Sequence, residues 1–310
     1  MHIVNICICT YMREQMLSDC LQSLVAVHVP DEVTVTVSVI DNDVSGSSEG
    51  CVSRAAEALP FTVRYMQEAK RGIPCARNRA IEESIQHGAD FIVFIDDDEI
   101  VTADWLVNLY NYSVQKGGRA VVHGKVSQRL PDNLPPSIQG LYKGGKRFSG
   151  EALSACATDN VLIPIHLVTE LELRFDESNP LAGGTDTIFF TQATSKGVEI
   201  FQCNEALVYE TIPKQRATLK WLAKRKYRAG ITDAWRKSQR GRSKTSIVMS
   251  ASFHVVASAL KMLLMALLMR GLARNQSFLK MCRYAGVFMG VFGARVDSYR
   301  HKLTFILGCL

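Results

Sequence analysis

Features typical of disulfide-linked, zinc-binding or secreted proteins are missing from this sequence. Its nine cysteines are an odd number and include no CxxC pair, which argues against a disulfide framework and the common zinc sites. Unpaired cysteines are typical of proteins in the reducing cytosol. The N-terminal segment MHIVNICICTY lacks a basic start, and its apolar run is too short for a signal peptide. We therefore expect a first strand there, and a catalytic body that stays in the cytoplasm.

Acidic residues are nearly missing from the C-terminal third of the chain. Residues 212–310 hold 20 Lys and Arg but only Asp233 and Asp297, a net charge of +18, whereas residues 1–211 carry −12. With 310 residues and 47% hydrophobic content, the chain is long enough for one large domain and an appendage. We predict an acidic domain over 1–212 and a basic, helical region over 213–310.

Up to about residue 125, short apolar runs alternate with segments of helical periodicity. This alternation is typical of βαβ units, so the predicted fold class is α/β, with a mostly parallel sheet flanked by helices. A stretch over 127–150 that contains prolines, glycines, Lys143, Lys146 and Arg147 predicts a long irregular loop that could cover a substrate. The predicted strands are 3–9, 33–40, 61–66, 91–95, 120–126, 161–163, 198–202 and 206–209.

The most informative motif is FIVFIDDDE over residues 91–99. Its apolar run predicts a buried strand, so Asp96, Asp97 and Asp98 leave the sheet at the carboxyl edge where ligands bind in open α/β sheets. Adjacent carboxylates stay ionised when a cation or donor groups compensate their charge, and a divalent metal bridging to phosphates is the commonest such arrangement. The alternative is a solvated acidic start to the helix that begins near Thr102.

Polar residues also follow the first two predicted strands. The second strand ends in VSVIDND, which places Asp41, Asn42 and Asp43 at the same edge. These side chains could bind a base or ribose hydroxyls, or they could form an Asx turn before the next loop. The first strand ends in Thr10 and Tyr11, and an aromatic ring beside a sheet edge can stack on a nucleobase.

The segment KRGIPCARNRA, residues 70–80, runs from a loop into a predicted helix. Arginine forks and the free N–H groups of a helix N-terminus both suit phosphate oxygens. We therefore predict diphosphate contacts from Arg77 and Asn78, and we expect Arg79 to be a surface charge.

The segment LAGGTDTIFF, residues 181–190, puts Asp186 directly after Gly183, Gly184 and Thr185 at the start of an apolar helix. A carboxylate in that position is either a helix cap or a general base held over a cleft. The pattern itself does not choose between the two.

In this order, CTY, VIDND, GIPCARN, FIDDDE and GGTD resemble the motifs of family 2 glycosyltransferases with the GT-A fold, in particular bacterial exopolysaccharide enzymes of the succinoglycan glucosyltransferase type. The resemblance covers roughly residues 3–230. It implies an inverting transfer of a sugar from a nucleotide diphosphate sugar, with UDP as the expected nucleotide. The implied acceptor is a glycan or a lipid-linked glycan in bacterial polysaccharide biosynthesis.

The resemblance also implies roles for single residues. Asp98, together with Asp96, would hold Mg²⁺ or Mn²⁺, Asp97 would lie near the ribose, and Asp186 would be the catalytic base. The Tyr11 ring would stack on the base. The full set of expected nucleotide-sugar contacts is Thr10, Tyr11, Asp41, Asn42, Asp43, Arg77, Asn78, Asp96 and Asp97.

The basic region has the composition of a membrane interface. Residues 214–244 combine twelve Lys and Arg with two tryptophans and a tyrosine. The next apolar run, 247–269, is long enough to span a bilayer but contains Lys261 and several serines. We expect a monotopic helix pair on the anionic cytoplasmic face of the inner membrane. A single transmembrane helix, or a helix packed on the catalytic domain, is the alternative.

Two other functions share part of these features. A nucleotidyltransferase would use the same metal and phosphate groups but would release pyrophosphate. A non-enzymatic nucleic-acid or membrane-binding protein would use the basic tail, but three aspartates at a sheet edge then have no explanation. The expected partners are therefore a nucleotide diphosphate sugar, a glycan or polyprenyl-linked glycan acceptor and an anionic membrane, and no nucleic acid.

Overall fold

The computed structural model describes residues 1–142, 145, 147–181, 183–239 and 241–294. Lys143 and Lys146 of the predicted loop, and residues 295–310 of the basic region, lie outside the described residues. The chain divides into two compact units. Unit 1 comprises Met1–Gln128, Lys146–Pro180 and Thr185–Thr211, and unit 2 comprises Arg129–Gly145, Leu181–Gly184 and Ile212–Leu310.

One sheet organises the first unit. Its strands are β1 (His2–Thr10), β2 (Val33–Asp41), β3 (Thr62–Gln67), β4 (Phe91–Asp96), β5 (Glu99–Val101), β6 (Val121–Arg129), β7 (Val161–Pro164) and β8 (Ile200–Thr211). Their order across the sheet is β3-β2-β1-β4-β7-β6-β8-β5. The first four in this order run parallel, whereas β7 is antiparallel to β4 and β6, and β5 is antiparallel to β8. The sheet is therefore mixed, with its parallel half built from the N-terminal βαβ units.

The helices follow the predicted alternation in the N-terminal half of the chain. They are α1 (Glu14–Ser23), α2 (Glu49–Ala58), α3 (Ile73–Gln86), α4 (Trp105–Gln115), α5 (Pro136–Gln139), α6 (His166–Thr169), α7 (Thr185–Ser195), α8 (Leu219–Gln239), α9 (Lys244–Leu267) and α10 (Gly271–Val291). In unit 1 they supply both layers that cover the sheet.

Three local expectations differ from the structure. The strands predicted at 198–202 and 206–209 form the single strand β8, because the polar residues between them continue the extended backbone instead of turning. The three-residue strand β5 was not expected, since so short a segment has no measurable periodicity. The loop predicted over 127–150 contains the end of β6 and the short helix α5.

The apolar run of β4 shows why the site lies at the sheet edge. Phe91, Val93 and Ile95 join one apolar cluster with α1, α2 and α4, while Ile92 and Phe94 join another with α3 and α7. Successive strand residues point to opposite faces, so an unbroken apolar strand is covered on both sides. Burial of each such side chain is worth about 1.5–3 kcal/mol. Polar groups that must reach a ligand can therefore leave the sheet only where β4 ends.

In unit 2, α8 and α10 approach each other at glycines. A Cβ atom on Gly286 would lie 2.0 Å from the carbonyl oxygen of Tyr227, and one on Gly230 would lie 1.9 Å from the carbonyl oxygen of Arg283. Only glycine permits so close an approach of the two helices. Many helices in membranes also pack through small residues in this way.

Asp233 is the one acidic residue that the sequence contains between positions 212 and 294. It is buried, and its carboxylate accepts hydrogen bonds from Arg236 on the same helix and from Arg283 on α10, whose Nε lies 2.8 Å away. A buried carboxylate without such partners would be costly. This residue therefore joins α8 to α10 and leaves the outer surface of the helices basic.

Helix α9 has one exposed apolar face. Ile247, Ala251 and Ser258 are buried on the opposite face. Among the described residues, α9 is the one helix long and apolar enough to cross a membrane, with a mean hydropathy of 1.7 and only 17% of its apolar window buried. The exposed face, here called the α9 stripe, consists of Met249, Phe253, Val256, Leu260, Leu263 and Leu267, each more than half exposed.

Candidate active site

The polar residues predicted at strand ends lie at one edge of the sheet. Strand β1 lies between β2 and β4 in the sheet. Its register pairs Thr10 with Asp41 on β2 and Cys9 with Asp96 on β4. Because these strands are parallel, their carboxyl ends meet at the same edge, as in other open α/β sheets.

Two groups from the end of β1 hold the central aspartate of the triplet. Thr10 donates a hydrogen bond from Oγ1 to Asp97 Oδ2 at 2.8 Å, and Arg13 donates from Nη1 to Asp97 Oδ1 at 2.8 Å. Arg13 Nη1 also lies 3.3 Å from Asp98 Oδ2. Burial raises the pKa of Asp97, the charge of Arg13 opposes that rise, and the charge of Asp98 adds to it.

Arg13 was not among the residues predicted from the sequence. A lone arginine at the start of a helix has no distinctive pattern, and its position three residues beyond Thr10 was the only signal. The compensation expected for adjacent carboxylates is thus supplied in part by this guanidinium group.

Asp96 lies in a field of excess negative charge. Its side chain is 47% accessible, with Arg77 Nη2 4.0 Å from Oδ1. Desolvation by the surrounding protein nevertheless raises the pKa of Asp96 to about 7. Arg77 opposes this rise, whereas Asp159, Asp98 and Asp97 add to it. Burial and the crowding of carboxylates both disfavour the charged form of Asp96, and a bound cation at the sheet edge would favour it.

The structure gives Asp41 and Asp43 protein partners on β3 and in the segment that follows β2. Asp41 is fully buried, and its Oδ2 accepts hydrogen bonds from Tyr65 Oη at 3.0 Å and from the Ser48 amide at 2.9 Å. Asp43 accepts from the Ser45 amide at 3.2 Å, and hydrogen bonds from serine side chains lower the pKa of Asp43. The Asx turn considered from the sequence is present, and contact with a nucleotide stays a prediction for both residues.

Asn42 anchors the loop that follows β3. Its Nδ2 donates to the carbonyl oxygens of Glu68 and Lys70, both at 2.9 Å, and its Oδ1 accepts from the Gly72 amide at 2.7 Å. Both amide hydrogens are therefore used within the protein. Asn42 shapes the loop that leads into α3, and its contact with a base stays a prediction.

Asn78 makes a similar set of bonds on α3. Its Nδ2 donates to the Phe175 carbonyl oxygen at 2.9 Å and to Glu177 Oε1 at 2.7 Å, while its Oδ1 accepts from the Phe175 amide at 2.8 Å. The neighbouring Arg77 guanidinium lies over the Phe175 ring, 5.4 Å from its centroid. Of this predicted diphosphate pair, Arg77 is the one directed at the aspartate triplet.

Tyr11 follows β1 directly and is partly buried. The guanidinium carbon of Arg71 lies 5.1 Å from the centroid of its ring, within the range of a cation–π interaction. Met12, the next residue, has a φ of 54° that turns the chain toward α1. Tyr11 thus already packs against a basic side chain at the sheet edge, and base stacking stays a prediction.

Asp186 lies in the first turn of α7. Its Oδ1 accepts a hydrogen bond from the Thr187 amide at 2.7 Å, and its Oδ2 makes no hydrogen bond within the part of the chain that the structure describes. Burial raises the pKa of the Cys156 thiol well above its usual value, and the charges of Asp159 and Asp186 raise it further. Asp159 and Asp186 thus both act on the Cys156 thiol, and Asp159 also acts on Asp96 of the triplet. The role of Asp186 as a base stays a prediction.

A metal ion would have to share this edge with its substrate. No group of three or more His, Cys, Asp or Glu among the described residues is arranged to enclose a metal. Mg²⁺ in phosphate-binding enzymes usually takes one or two carboxylates and completes its shell with phosphate oxygens and water. Asp96 and Asp98 offer oxygen ligands of this kind in a field of excess negative charge. These residues fit a divalent cation that binds together with a diphosphate.

Comparison with known proteins relates this arrangement to a family. The sequence profile described as "Glycosyltransferase like family 2" matches residues 2–232. The chain belongs to glycosyltransferase family 2. This glycosyltransferase is also 30% identical over 312 residues to the succinoglycan biosynthesis protein ExoM of Rhizobium meliloti, over 96% of the chain and 95% of ExoM. The resemblance described from its motifs is confirmed.

Solved structures of TarS from S. aureus share the fold of this family 2 glycosyltransferase. One TarS structure matches with a TM-score of 0.52 at 16% identity, over 74% of this chain and 65% of that one. A complex of TarS with UDP matches with a TM-score of 0.51 at 14% identity, over 91% and 90% of the two chains. The predicted GT-A fold class is confirmed.

Proposed function

We propose that this glycosyltransferase moves a sugar from a UDP-sugar to a glycan or polyprenyl-linked glycan acceptor, with inversion at the anomeric carbon, in polysaccharide biosynthesis. The observation that carries the proposal is the sheet edge at which Thr10 and Arg13 hold Asp97 between Asp96 and Asp98. The names of two similar proteins support the chemistry. ExoM is named for succinoglycan biosynthesis, and TarS was crystallised with UDP and with UDP-GlcNAc.

Asp98 and Asp96 would hold Mg²⁺ or Mn²⁺ together with the diphosphate of the donor. When bound, such a cation acts as a Lewis acid that stabilises charge on the departing diphosphate. Arg77, 4.0 Å from Asp96, is placed to contact the same phosphates through its guanidinium fork. Arg13 and Thr10 would keep Asp97 oriented toward the ribose.

Asp186 is proposed as the general base. Its Oδ1 is engaged by the Thr187 amide, so its Oδ2 is the oxygen that would accept the proton of the acceptor hydroxyl. The acceptor oxygen then bonds to the anomeric carbon as the bond to the diphosphate breaks on the opposite face, and the configuration inverts. A positioned base of this kind contributes about 10²–10⁴-fold to the rate.

We further propose that the basic helices hold the enzyme at the cytoplasmic face of the inner membrane, where a lipid-linked acceptor would be presented. Support comes from the exposed α9 stripe and from the net charge of +18 over residues 212–310. Apolar side chains bury into the headgroup region, and each basic residue near an anionic surface adds about 1 kcal/mol. An in-plane helix suits the one-sided exposure of α9 better than a spanning helix, which would present apolar residues all round.

The decisive experiment incubates the purified full chain with Mn²⁺, a panel of UDP-sugars and polyprenyl-diphosphate-linked oligosaccharides in detergent. Mass spectrometry then identifies both the nucleotide released and the extended acceptor. We expect UDP and an acceptor heavier by one sugar residue. Release of pyrophosphate would indicate a nucleotidyltransferase, and the absence of any extended product with every donor would contradict glycosyl transfer to this acceptor class.

A further inference from the structure

The segment just before β7 combines backbone strain with a fully buried asparagine. Asn160 has a φ of 136°, in a region that side chains other than glycine rarely adopt. Its Oδ1 accepts a hydrogen bond from Trp105 Nε1 at 2.7 Å, and its Nδ2 donates to the Ala206 carbonyl oxygen at 2.9 Å. Strain of this kind persists only where the surroundings over-determine it, and it concentrates at functional sites.

Gly124 on β6 leaves the space that the Asn160 side chain occupies. A Cβ atom at position 124 would lie 2.2 Å from Asn160 Nδ2 and 2.5 Å from the Ala206 carbonyl oxygen. The Gly124 amide also donates to the Asn160 carbonyl oxygen at 2.8 Å. Main chain and side chain of Asn160 are thus both held, and this determines the direction of the preceding residue, Asp159.

One carboxylate oxygen of Asp159 contacts a buried histidine. His123 is 7% exposed. Its Nε2 lies 3.3 Å from Asp159 Oδ1, and its Nδ1 lies 3.1 Å from Gln202 Oε1. Gln202 Nε2 donates to the Gly124 carbonyl oxygen at 3.0 Å, so its Oε1 is the atom that faces the ring. Both ring nitrogens therefore face oxygen acceptors, and the ring can donate to Asp159 when Nε2 carries a proton.

The rest of the Asp159 carboxylate is available for a ligand. The side chain is 37% exposed, and its Oδ2 has no hydrogen-bond partner anywhere in the described ranges. The adjacent Thr158 hydroxyl is buried and also lacks a partner among the described residues. A partly exposed carboxylate with one oxygen facing a histidine and the other open is well suited to accept hydrogen bonds from neutral hydroxyl groups.

The surroundings indicate which hydroxyls these would be. Strand β7 runs antiparallel to β4 with Val161 opposite Phe94, so Asp159, two residues before Val161, lies beside the end of β4 that leads into Asp96, the side assigned to the donor diphosphate. The charges of Asp159 and of Asp186, the proposed base, both act on the buried Cys156 thiol. The donor sugar and the acceptor must meet between the diphosphate at Asp96 and the proposed base Asp186.

We propose that Asp159, positioned by His123 and by the strained backbone at Asn160, is a specificity residue that accepts hydrogen bonds from hydroxyl groups of a sugar in the active site. This inference rests on the proposed glycosyl transfer. The sugar belongs either to the donor or to the acceptor, and the two sources have different kinetic signatures.

The test compares the full-length wild type with Asp159→Asn, His123→Gln and the control Glu199→Gln, an exposed carboxylate elsewhere in unit 1. Calorimetry in Mn²⁺ measures affinity for UDP and for the UDP-sugar that supports transfer. Initial rates give kcat and the KM values for donor and for polyprenyl-linked acceptor. Thermal unfolding verifies that each variant is folded.

If Asp159 binds the donor sugar, Asp159→Asn lowers affinity for the UDP-sugar about tenfold, the size expected for a lost charge-assisted hydrogen bond, and leaves UDP affinity unchanged. If it binds the acceptor, donor affinity is unchanged and the acceptor KM rises by a similar factor. His123→Gln should change the same parameter by a smaller factor, because it loosens the carboxylate without removing it.

Two results would overturn the proposal. One is a folded Asp159→Asn variant whose affinities and KM values all equal those of the wild type. The other is an equal loss of affinity for UDP and for the UDP-sugar, which would indicate a general structural role. Failure of the wild type to bind or transfer any sugar contradicts the proposed function itself and is distinguishable without any variant.

Discussion

In unit 1, carboxylates gather at the edge of a sheet whose apolar residues are buried on both faces. In unit 2, the single acidic residue of the described helices is buried between α8 and α10, and a stripe of apolar side chains on α9 is exposed. The net charges of the two sequence regions, −12 over 1–211 and +18 over 212–310, follow the same division.

Each unit departs from ordinary globular packing where we propose a binding site: a metal ion and the donor in unit 1, and the membrane in unit 2. Crowded carboxylates at residues 96–98 cost electrostatic free energy that a bound divalent cation would recover. Exposed leucines on α9 forgo burial that a membrane would restore. Activity and membrane binding should therefore respond to separate sets of mutations. Three changes test that separation, and a fourth tests the helix packing of unit 2.

The largest effect is expected from Asp98→Asn. Loss of a metal ligand should remove several kcal/mol of transition-state stabilisation, which lowers kcat by about 10³-fold. UDP affinity in Mn²⁺ should also fall, as measured by calorimetry, whereas sedimentation with anionic vesicles should stay at the wild-type level. Equal UDP affinity of the wild type with and without Mn²⁺ would remove the metal from this site.

Asp186→Asn should separate donor binding from chemistry. The amide keeps the shape and the bond to the Thr187 amide but cannot take a proton, so kcat should fall by about 10²-fold or more. Calorimetry should give unchanged affinity for the UDP-sugar. A folded variant that transfers sugar at nearly the wild-type rate would show that Asp186 is only a helix cap.

Changes on the α9 stripe should weaken membrane binding and leave activity unchanged. Replacing Leu260 and Leu263 with glutamate removes two apolar side chains, each worth about 1.5–3 kcal/mol when buried, so vesicle binding should weaken by about 10²-fold or more. The charge-matched control is Gln192→Glu with Ser195→Glu, two exposed positions on α7.

Vesicle co-sedimentation measures this effect, and high salt should release only part of the wild type because apolar burial resists salt. Turnover of a water-soluble acceptor analogue should be the same in both double variants. Full-length protein that stays in the supernatant at low salt with anionic vesicles would make these helices an ordinary part of the fold.

The smallest effect is expected from Gly286→Ala. The added Cβ would lie 2.0 Å from the Tyr227 carbonyl oxygen, so α8 and α10 must move apart, which costs about 1–3 kcal/mol of stability. Urea unfolding measures the loss. Gly50→Ala in α2 is the control, since a Cβ there lies 3.5 Å from the nearest side-chain atom and should be neutral or stabilising. Equal stability of both variants would mean that the close helix contact is absent in solution.

Local patterns accounted for the parallel half of the sheet and for the residues at its edge. Alternating apolar runs and helical periodicity depend only on neighbours in the chain, and the motif FIVFIDDDE contains its own strand and its own exit from the sheet. The three-residue interruption at 203–205 within β8 misled the same reasoning, because the continuity of β8 depends on neighbouring strands that are distant in sequence.

The sequence by itself determined the α/β class, the family, the aspartate triplet and the contrast between an acidic domain and a basic helical tail. These features follow from composition and from motifs of contiguous residues. Only the tertiary structure decided that Arg13 pairs with Asp97, that Asn42 and Asn78 anchor loops, and that His123 holds Asp159. Each of these contacts joins residues that are 26 to 99 positions apart. Side-chain partners at such separations are set by how the strands and helices pack, which no local pattern encodes.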